Sequence, residues 1–221
     1  MWSKRWVSAK PLSVIKAMIS SKIGHRFDPY VYTVAKHLLG KNVNPNLLTF
    51  SGFILNAGAG FLLAIGYLRW GGFAILGAGL CDLLDGAMAR NQGRATPFGA
   101  FFDSVMDRYS DLIVLLGILV FFARRGWTGM MVLTSVVLIG TAMVPYARAR
   151  AERAIGKCNV GLMERAERIV LLAVGAIFNL MVPILWILAV FTHITVIQRI
   201  HYTWKELRGK TDDIPGAGGN P

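Results

Sequence analysis

The sequence predicts an all-α integral membrane protein of six transmembrane helices with an N-terminal amphipathic helix lying at the membrane interface. Three observations predict it: composition, apolar runs of spanning length, and the placement of Lys and Arg. Hydrophobic residues make up 54% of the 221 residues and charged ones only 16%, with a mean hydropathy of +0.50. That leaves too little polar surface to cover a soluble domain. The formal net charge is +12, but the basic residues sit in blocks between apolar stretches. This spacing argues against a nucleic-acid partner and suits anionic lipid headgroups and phosphorylated substrates. Cys81 and Cys158 show neither disulfide-framework numbers nor metal-site spacing, and read as small packing residues.

In residues 1–43, Leu12, Ile15, Ile19 and Ile23 recur at helical spacing while Lys16 and Lys22 fall largely on other faces. This is the pattern of a helix lying on a membrane surface. Broken by those lysines and lacking a small-residue cleavage site, the run does not read as a cleavable signal, so insertion is expected to rely on the transmembrane helices. Residues 44–208 form the expected six-helix domain. The first span, 47–68, is uncharged and opens with Asn44 as N-cap and Pro45 at the first helical position. It is followed by 66–88, ending at Asp82 and Asp85, and by 97–122, with Asp103, Asp107 and Asp111 stacked on one side. A fourth span, 126–146, continues as a helix out of the bilayer through Arg148, Arg150 and Arg153. Residues 169–197 supply the last two, reversed at Asn179 and Pro183. The Gly- and Pro-containing tail, 209–221, is expected to be flexible. An even number of spans puts both termini on one side, and that side holds all but Arg69, Arg124 and Arg125 of the 24 Lys and Arg residues. Both termini and the aspartates are therefore expected in the cytoplasm, with the chain in the inner (cytoplasmic) membrane.

The stretch 81–111 carries the chemistry. Asp82 and Asp85 share a helix face at i, i+3, and Asp103 and Asp107 share one at i, i+4. Carboxylates converging from two helices near hydrocarbon repel one another and cost several kcal/mol each unless a positive charge sits among them. A purely structural alternative pairs them with Arg90, Arg94 and Arg108. An all-carboxylate set otherwise favours Mg²⁺ or Mn²⁺ over zinc, and four carboxylates suffice for two ions, a known device of phosphoryl chemistry. Gly86 and Ala89 remove bulk where a nucleotide can approach the backbone, Arg90 can pair with phosphate, and Gly99 opens the next helix in the same way. Asp111 lies a turn deeper and either joins the site or pairs with an arginine.

Asp82, Asp85, Gly86, Ala89, Arg90, Gly99, Asp103 and Asp107 match DxxDGxxARx8GxxxDxxxD at every fixed position, and by this motif the chain resembles the CDP-alcohol phosphotransferase family. The resemblance implies six transmembrane helices, an amphipathic N-terminal helix, a cytoplasmic site and a homodimer. It implies that Asp82, Asp85, Asp103 and Asp107 hold the divalent ions and that Asp107 also takes the proton of the acceptor hydroxyl as CMP leaves. Gly86, Ala89, Arg90 and Gly99 then contact the CDP part of a CDP-diacylglycerol or CDP-archaeol-type lipid.

Acceptor choice is expected to reside in 146–169, where Arg148, Arg150, Arg153, Lys157, Arg165 and Arg168 concentrate positive charge. Arginine grips phosphate through parallel hydrogen bonds, which points to a phosphorylated polyol. The YxRARAE and VGxxERxER pattern resembles bacterial phosphatidylinositol phosphate synthases and their archaeal ether-lipid counterparts. That resemblance implies inositol 1-phosphate as acceptor, with its phosphate on Arg148, Arg168 and Arg208. Arg148 stands where many relatives have Lys, and Ala166 where Pro is common. Glycerol 3-phosphate is the rival acceptor. A divalent-cation transporter is the rival of another class, disfavoured because the polar groups gather at one end of the spans.

Overall fold

The structure, a computed structural model, describes residues 45–91 and 96–212, and the side chains of 46–84 and 96–209 within them. The expected interfacial helix and the end of the tail lie outside the described residues. The described residues form six helices: α1 (Pro45–Ala64), α2 (Leu68–Asn91), α3 (Pro97–Arg124), α4 (Thr128–Ile155), α5 (Arg165–Ile177) and α6 (Met181–Asp212). α4 runs unbroken past Arg148, Arg150 and Arg153, as expected, and α6 continues beyond 208 into the segment read as tail.

The helix ends follow from local chemistry. Gly66 turns the chain between α1 and α2 at φ +96°, Gly126 does so between α3 and α4 at φ +67°, and Asn179 does so between α5 and α6 at φ 57°. Left-handed backbone costs Gly nothing and Asn little. Pro183, expected to share the last reversal, sits instead in the first turn of α6, where its missing N–H leaves no helical bond unmade. At the other end of the bundle, Thr96 caps α3 by accepting from the Gly99 N–H at 3.0 Å, with Pro97 opening the helix.

α1 packs on α2 and α3, α4 on α3 and α6, and α5 on α2 and α6. The α1–α3 crossing is a backbone contact at Gly60 and Gly117, where a Cβ built on Gly117 would lie 2.2 Å from the Gly60 carbonyl oxygen. This draws the aspartate-bearing helix close to its neighbours. The core is apolar, with Leu63, Ile75, Leu115, Ile118, Phe122, Val137, Leu185 and Leu188 fully buried. Three buried hydroxyls satisfy themselves locally: Thr134, Thr192 and Thr195 each donate to the carbonyl four residues back at 2.7 Å. The outer surface is equally apolar, with Phe61, Trp70, Ile139, Trp186 and Ile197 exposed, which suits lipid rather than water.

Among the described residues, three helices are long and apolar enough to cross a membrane, over Asn46–Ala64, Thr128–Ile155 and Met181–Gly209. α2 and α3 have the length but carry the charged site. α5 has 13 residues, or roughly 20 Å, against a hydrocarbon core of about 30 Å.

Candidate active site

Three of the four carboxylates expected to converge do so. Asp82 on α2 and Asp103 and Asp107 on α3 each present an oxygen so that the three atoms lie within 4.8 Å of one another. Asp103 Oδ1 is buried without a hydrogen-bond partner, an expensive condition for a carboxylate that a bound cation relieves. An oxygen-only donor set and an orphaned acid oxygen fit a hard divalent ion. The side chains of Asp85, Gly86, Ala89 and Arg90 lie outside the described residues, although α2 runs through them as helix. Gly99 sits in the first turn of α3, and a Cβ there would meet Thr96 Oγ1 at 3.0 Å and Asn46 Oδ1 at 3.3 Å.

Among the described residues, the arginine that enters this cluster is not Arg108, and the side chains of Arg90 and Arg94 lie outside the described residues. Arg108 donates within its own helix, to the Ser104 carbonyl. Arg165, the first residue of α5, instead reaches Asp82 Oδ2 with Nη1 at 2.5 Å, Asp107 Oδ1 with Nη2 at 3.0 Å and Asp111 Oδ1 with Nε at 3.4 Å. Burial alone would lower the pKa of this guanidinium, which lies ahead of the apolar run starting at Ile169. The charges of Asp111, Asp82 and Asp107 outweigh burial and hold it above its ordinary value. Asp111 pairs with arginine, the second of the two roles open to it, and Arg168 Nη2 donates to its Oδ2 at 2.7 Å.

A reciprocal capping box places the two α5 arginines. Glu164 and Glu167 each accept from the other's backbone N–H, which fixes where the helix begins. Arg165 and Arg168, three residues apart, then face the α2–α3 acids together. The loop before them is tied to α6: Met163 N–H donates to Thr195 Oγ1 at 3.0 Å, and Arg199 Nε donates to the Val160 carbonyl at 2.9 Å. Arg199 also donates to the Val144 carbonyl of α4.

A cavity of about 200 Å³ opens beside the acids, lined by Asp107, Asp111 and Glu164 and by five arginines, Arg108, Arg148, Arg165, Arg168 and Arg199. Arg148 also pairs with Glu152 at 2.9 Å. Of the three arginines assigned to the acceptor, Arg148 and Arg168 line this cavity. Arg208 is placed apart from its wall, over the Trp204 ring at 5.4 Å. A second hollow, a groove of about 470 Å³, runs between α2 and α5 over Leu76, Gly79, Leu80, Leu83, Ala166, Ile169 and Val170. Its polar end is formed by Asp82, Asp107 and Arg165. A cationic cavity and an apolar groove thus meet at Asp107.

The sequence model of the CDP-alcohol phosphatidyltransferase family matches residues 42–198. The chain belongs to this family. It is 38% identical over 194 residues to the phosphatidylinositol phosphate synthase of Mycobacteroides abscessus, covering 83% of this chain and 87% of that protein. It is 37% identical over 168 residues to the archaetidylinositol phosphate synthase of Methanothermobacter thermautotrophicus, covering 73% and 83%. The crystal structure of Mycobacterium tuberculosis phosphatidylinositol phosphate synthase with CDP-DAG bound superposes with a TM-score of 0.72 at 30% identity, over 86% of this chain and 98% of that one. The same enzyme in complex with manganese and citrate gives a TM-score of 0.70 at 30% identity, over 86% and 93%.

In this CDP-alcohol phosphatidyltransferase, two site residues escaped the sequence reading. Arg165 was visible as one charge in a basic stretch and as a position of the VGxxERxER pattern, with no role at the acids assigned to it. Arg199, nearly fully buried, had a clearer signal: it is the first charge to follow the apolar run of α6, and a charge at that depth needs a built partner set.

Proposed function

We propose that the enzyme transfers a phosphatidyl or ether-lipid phosphatidyl-like group from a CDP-linked lipid to inositol 1-phosphate, giving phosphatidylinositol phosphate or its ether-lipid counterpart and CMP. The observation that carries this reading is the junction at Asp107 of an apolar groove with an arginine-lined cavity. The groove suits lipid chains, and the cavity suits a small acceptor that bears its own phosphate. Relatives named for inositol phosphate lipids, one bacterial and one archaeal, support the same acceptor and leave both donors in view.

Asp82, Asp85, Asp103 and Asp107 would hold Mg²⁺ or Mn²⁺, two ions in our reading. A cation bound there supplies charge neutralisation for the diphosphate and for the departing CMP. Gly86, Ala89, Arg90 and Gly99 contact the CDP part. Asp107 accepts the proton of the acceptor hydroxyl, whose oxygen forms a bond to the lipid-bearing phosphorus while the bond from that phosphorus to the CMP oxygen breaks. Arg148 and Arg168 hold the acceptor phosphate, and Arg208 joins them from α6 only by leaving its place over the Trp204 ring. We read all six helices as membrane-embedded in the inner membrane, with α5 short because its polar first turn belongs to the cytoplasmic site. Both termini are cytoplasmic, and the enzyme is a homodimer.

The deciding assay is CMP release with Mg²⁺ and either CDP-diacylglycerol or its ether-lipid analogue, with inositol 1-phosphate, glycerol 3-phosphate, inositol or serine in parallel. Release with inositol 1-phosphate alone is expected, and release with glycerol 3-phosphate alone would reassign the cavity. Arg148→Gln is expected to raise the acceptor KM roughly 10- to 100-fold, the worth of one charged hydrogen bond, with the CDP-lipid KM nearly unchanged. Gly79→Leu tests the groove. Its Cβ would meet Ile169 at an ordinary 3.5 Å, so the added branch is directed at the lipid path rather than at the core. About a tenfold rise in the CDP-diacylglycerol KM is expected, from an overpacking cost of about 1.4 kcal/mol, with inhibition by free CDP unchanged.

A further inference from the structure

The acids of the site already have a cation, and it belongs to the protein. One guanidinium, that of Arg165, makes ion pairs with Asp82 from α2 and with Asp107 and Asp111 from α3. Asp82 and Asp107 are also two of the three carboxylates whose oxygens come within 4.8 Å of one another. A divalent ion and this side chain therefore draw on the same carboxyl groups. Arg165 carries a single positive charge, and Asp103 Oδ1 remains unpartnered beside it. An ion with twice the charge and several ligand positions can serve the whole cluster. The neighbouring Arg168 differs, since among the described residues its carboxylate pair is with Asp111, outside that trio. Arg165 also lines both the cationic cavity and the apolar groove, so a modest swing of its side chain carries it from the acids to the place where a donor or acceptor phosphate would lie.

We propose that Arg165 is an exchangeable internal counter-cation that competes with the divalent metal for Asp82 and Asp107 and, once displaced, pairs with a substrate phosphate. This rests on the metal-site reading above and adds a role for a residue that the aspartate motif does not contain. Without metal, Arg165 neutralises acids that would otherwise repel one another at the end of a helix bundle. With metal, the same side chain becomes available to the substrate, so metal loading and phosphate binding are coupled through one residue.

The test uses Mn²⁺ alone, without lipid or acceptor, on the purified full-length enzyme after chelation. Free Mn²⁺ is followed by its electron paramagnetic resonance signal, and thermal unfolding is recorded with and without the ion. Arg165→Gln is expected to bind Mn²⁺ between about tenfold and a thousandfold more tightly than the wild type, because one neighbouring opposite charge shifts cation affinity at a carboxylate by about one to three decades. The chelated variant should unfold at a lower temperature, and its gain in Tm on adding Mn²⁺ should exceed that of the wild type. Arg165→Lys, which keeps the charge but cannot span three carboxylates, should fall between the two, and it decides the matter if the Gln variant does not fold. Mn²⁺ binding that is equal or weaker in the variants, with no larger gain in Tm, overturns the exchange while leaving the metal site intact. A wild-type protein that takes up no Mn²⁺ overturns both.

Discussion

Asp107→Asn is expected to lower CMP release by roughly 10³- to 10⁴-fold, while metal-dependent binding of CDP-diacylglycerol stays measurable. Asparagine keeps the shape of the side chain and an oxygen that can still accept from Arg165 Nη2, now 3.0 Å from Asp107 Oδ1. What it loses is the ability to take a proton from the acceptor hydroxyl, a contribution worth about 10² to 10⁴ in rate, together with one negative charge in the proposed metal set. Binding persists because Asp82 and Asp103 remain within 4.8 Å of each other and the apolar groove is untouched. The measurement is steady-state CMP release beside equilibrium binding of the CDP-lipid at saturating Mg²⁺. Turnover near the wild-type rate would take the base role from Asp107, and loss of lipid binding along with turnover would make it a metal ligand alone.

The parts of this enzyme legible in the sequence are those governed by local periodicity. Predominantly apolar runs bounded by Pro, Gly and Asn marked α1, α3 and α4 to within a few residues, because turn chemistry and helix length act over short separations. The i, i+4 spacing of Asp103 and Asp107 on one helix, set beside Asp82 on the preceding one, was enough to anticipate their meeting. The start of α5 was harder to see. The apolar run begins at Ile169, but the Glu164–Glu167 capping box starts the helix at Arg165, and that earlier start aims Arg165 at the acids. Its partner Asp82 lies 83 positions away, so no spacing rule connects them. Arg148 and Arg168 come to one cavity because α4 and α5 flank it, whereas Arg208 lies further along α6 against Trp204, a placement set by the length of an unbroken helix. The groove is likewise a product of packing: Gly79 and Ala166 leave room between α2 and α5 that appears only once those helices are laid together.

Gly117→Val is expected to be the most damaging change outside the site, acting on the fold that presents the acids. Gly117 sits ten residues beyond Asp107 on α3, where its Cα face meets the backbone of α1. A Cβ there would come 2.2 Å from the Gly60 carbonyl oxygen and 2.8 Å from Gly60 Cα. These are backbone atoms, so no side-chain rotation relieves the clash and the helices must separate. Overpacking against a flexible neighbour costs about 1 to 3 kcal/mol, and a collision with backbone belongs at or above the top of that range. For a chain of this size, about 3 kcal/mol corresponds to a Tm lowered by roughly 10 °C. Displacing α3 also moves Asp103 and Asp107 away from Asp82, so Mn²⁺ affinity should fall even in the fraction that remains folded. Gly58→Ala is the matched control, two positions from Gly60 on the same helix, with nothing within 4 Å of its built Cβ, and is expected to leave Tm and activity unchanged. If thermal unfolding and Mn²⁺ binding of the Gly117 variant matched those of the control, the close α1–α3 crossing would not be what holds the aspartates in register.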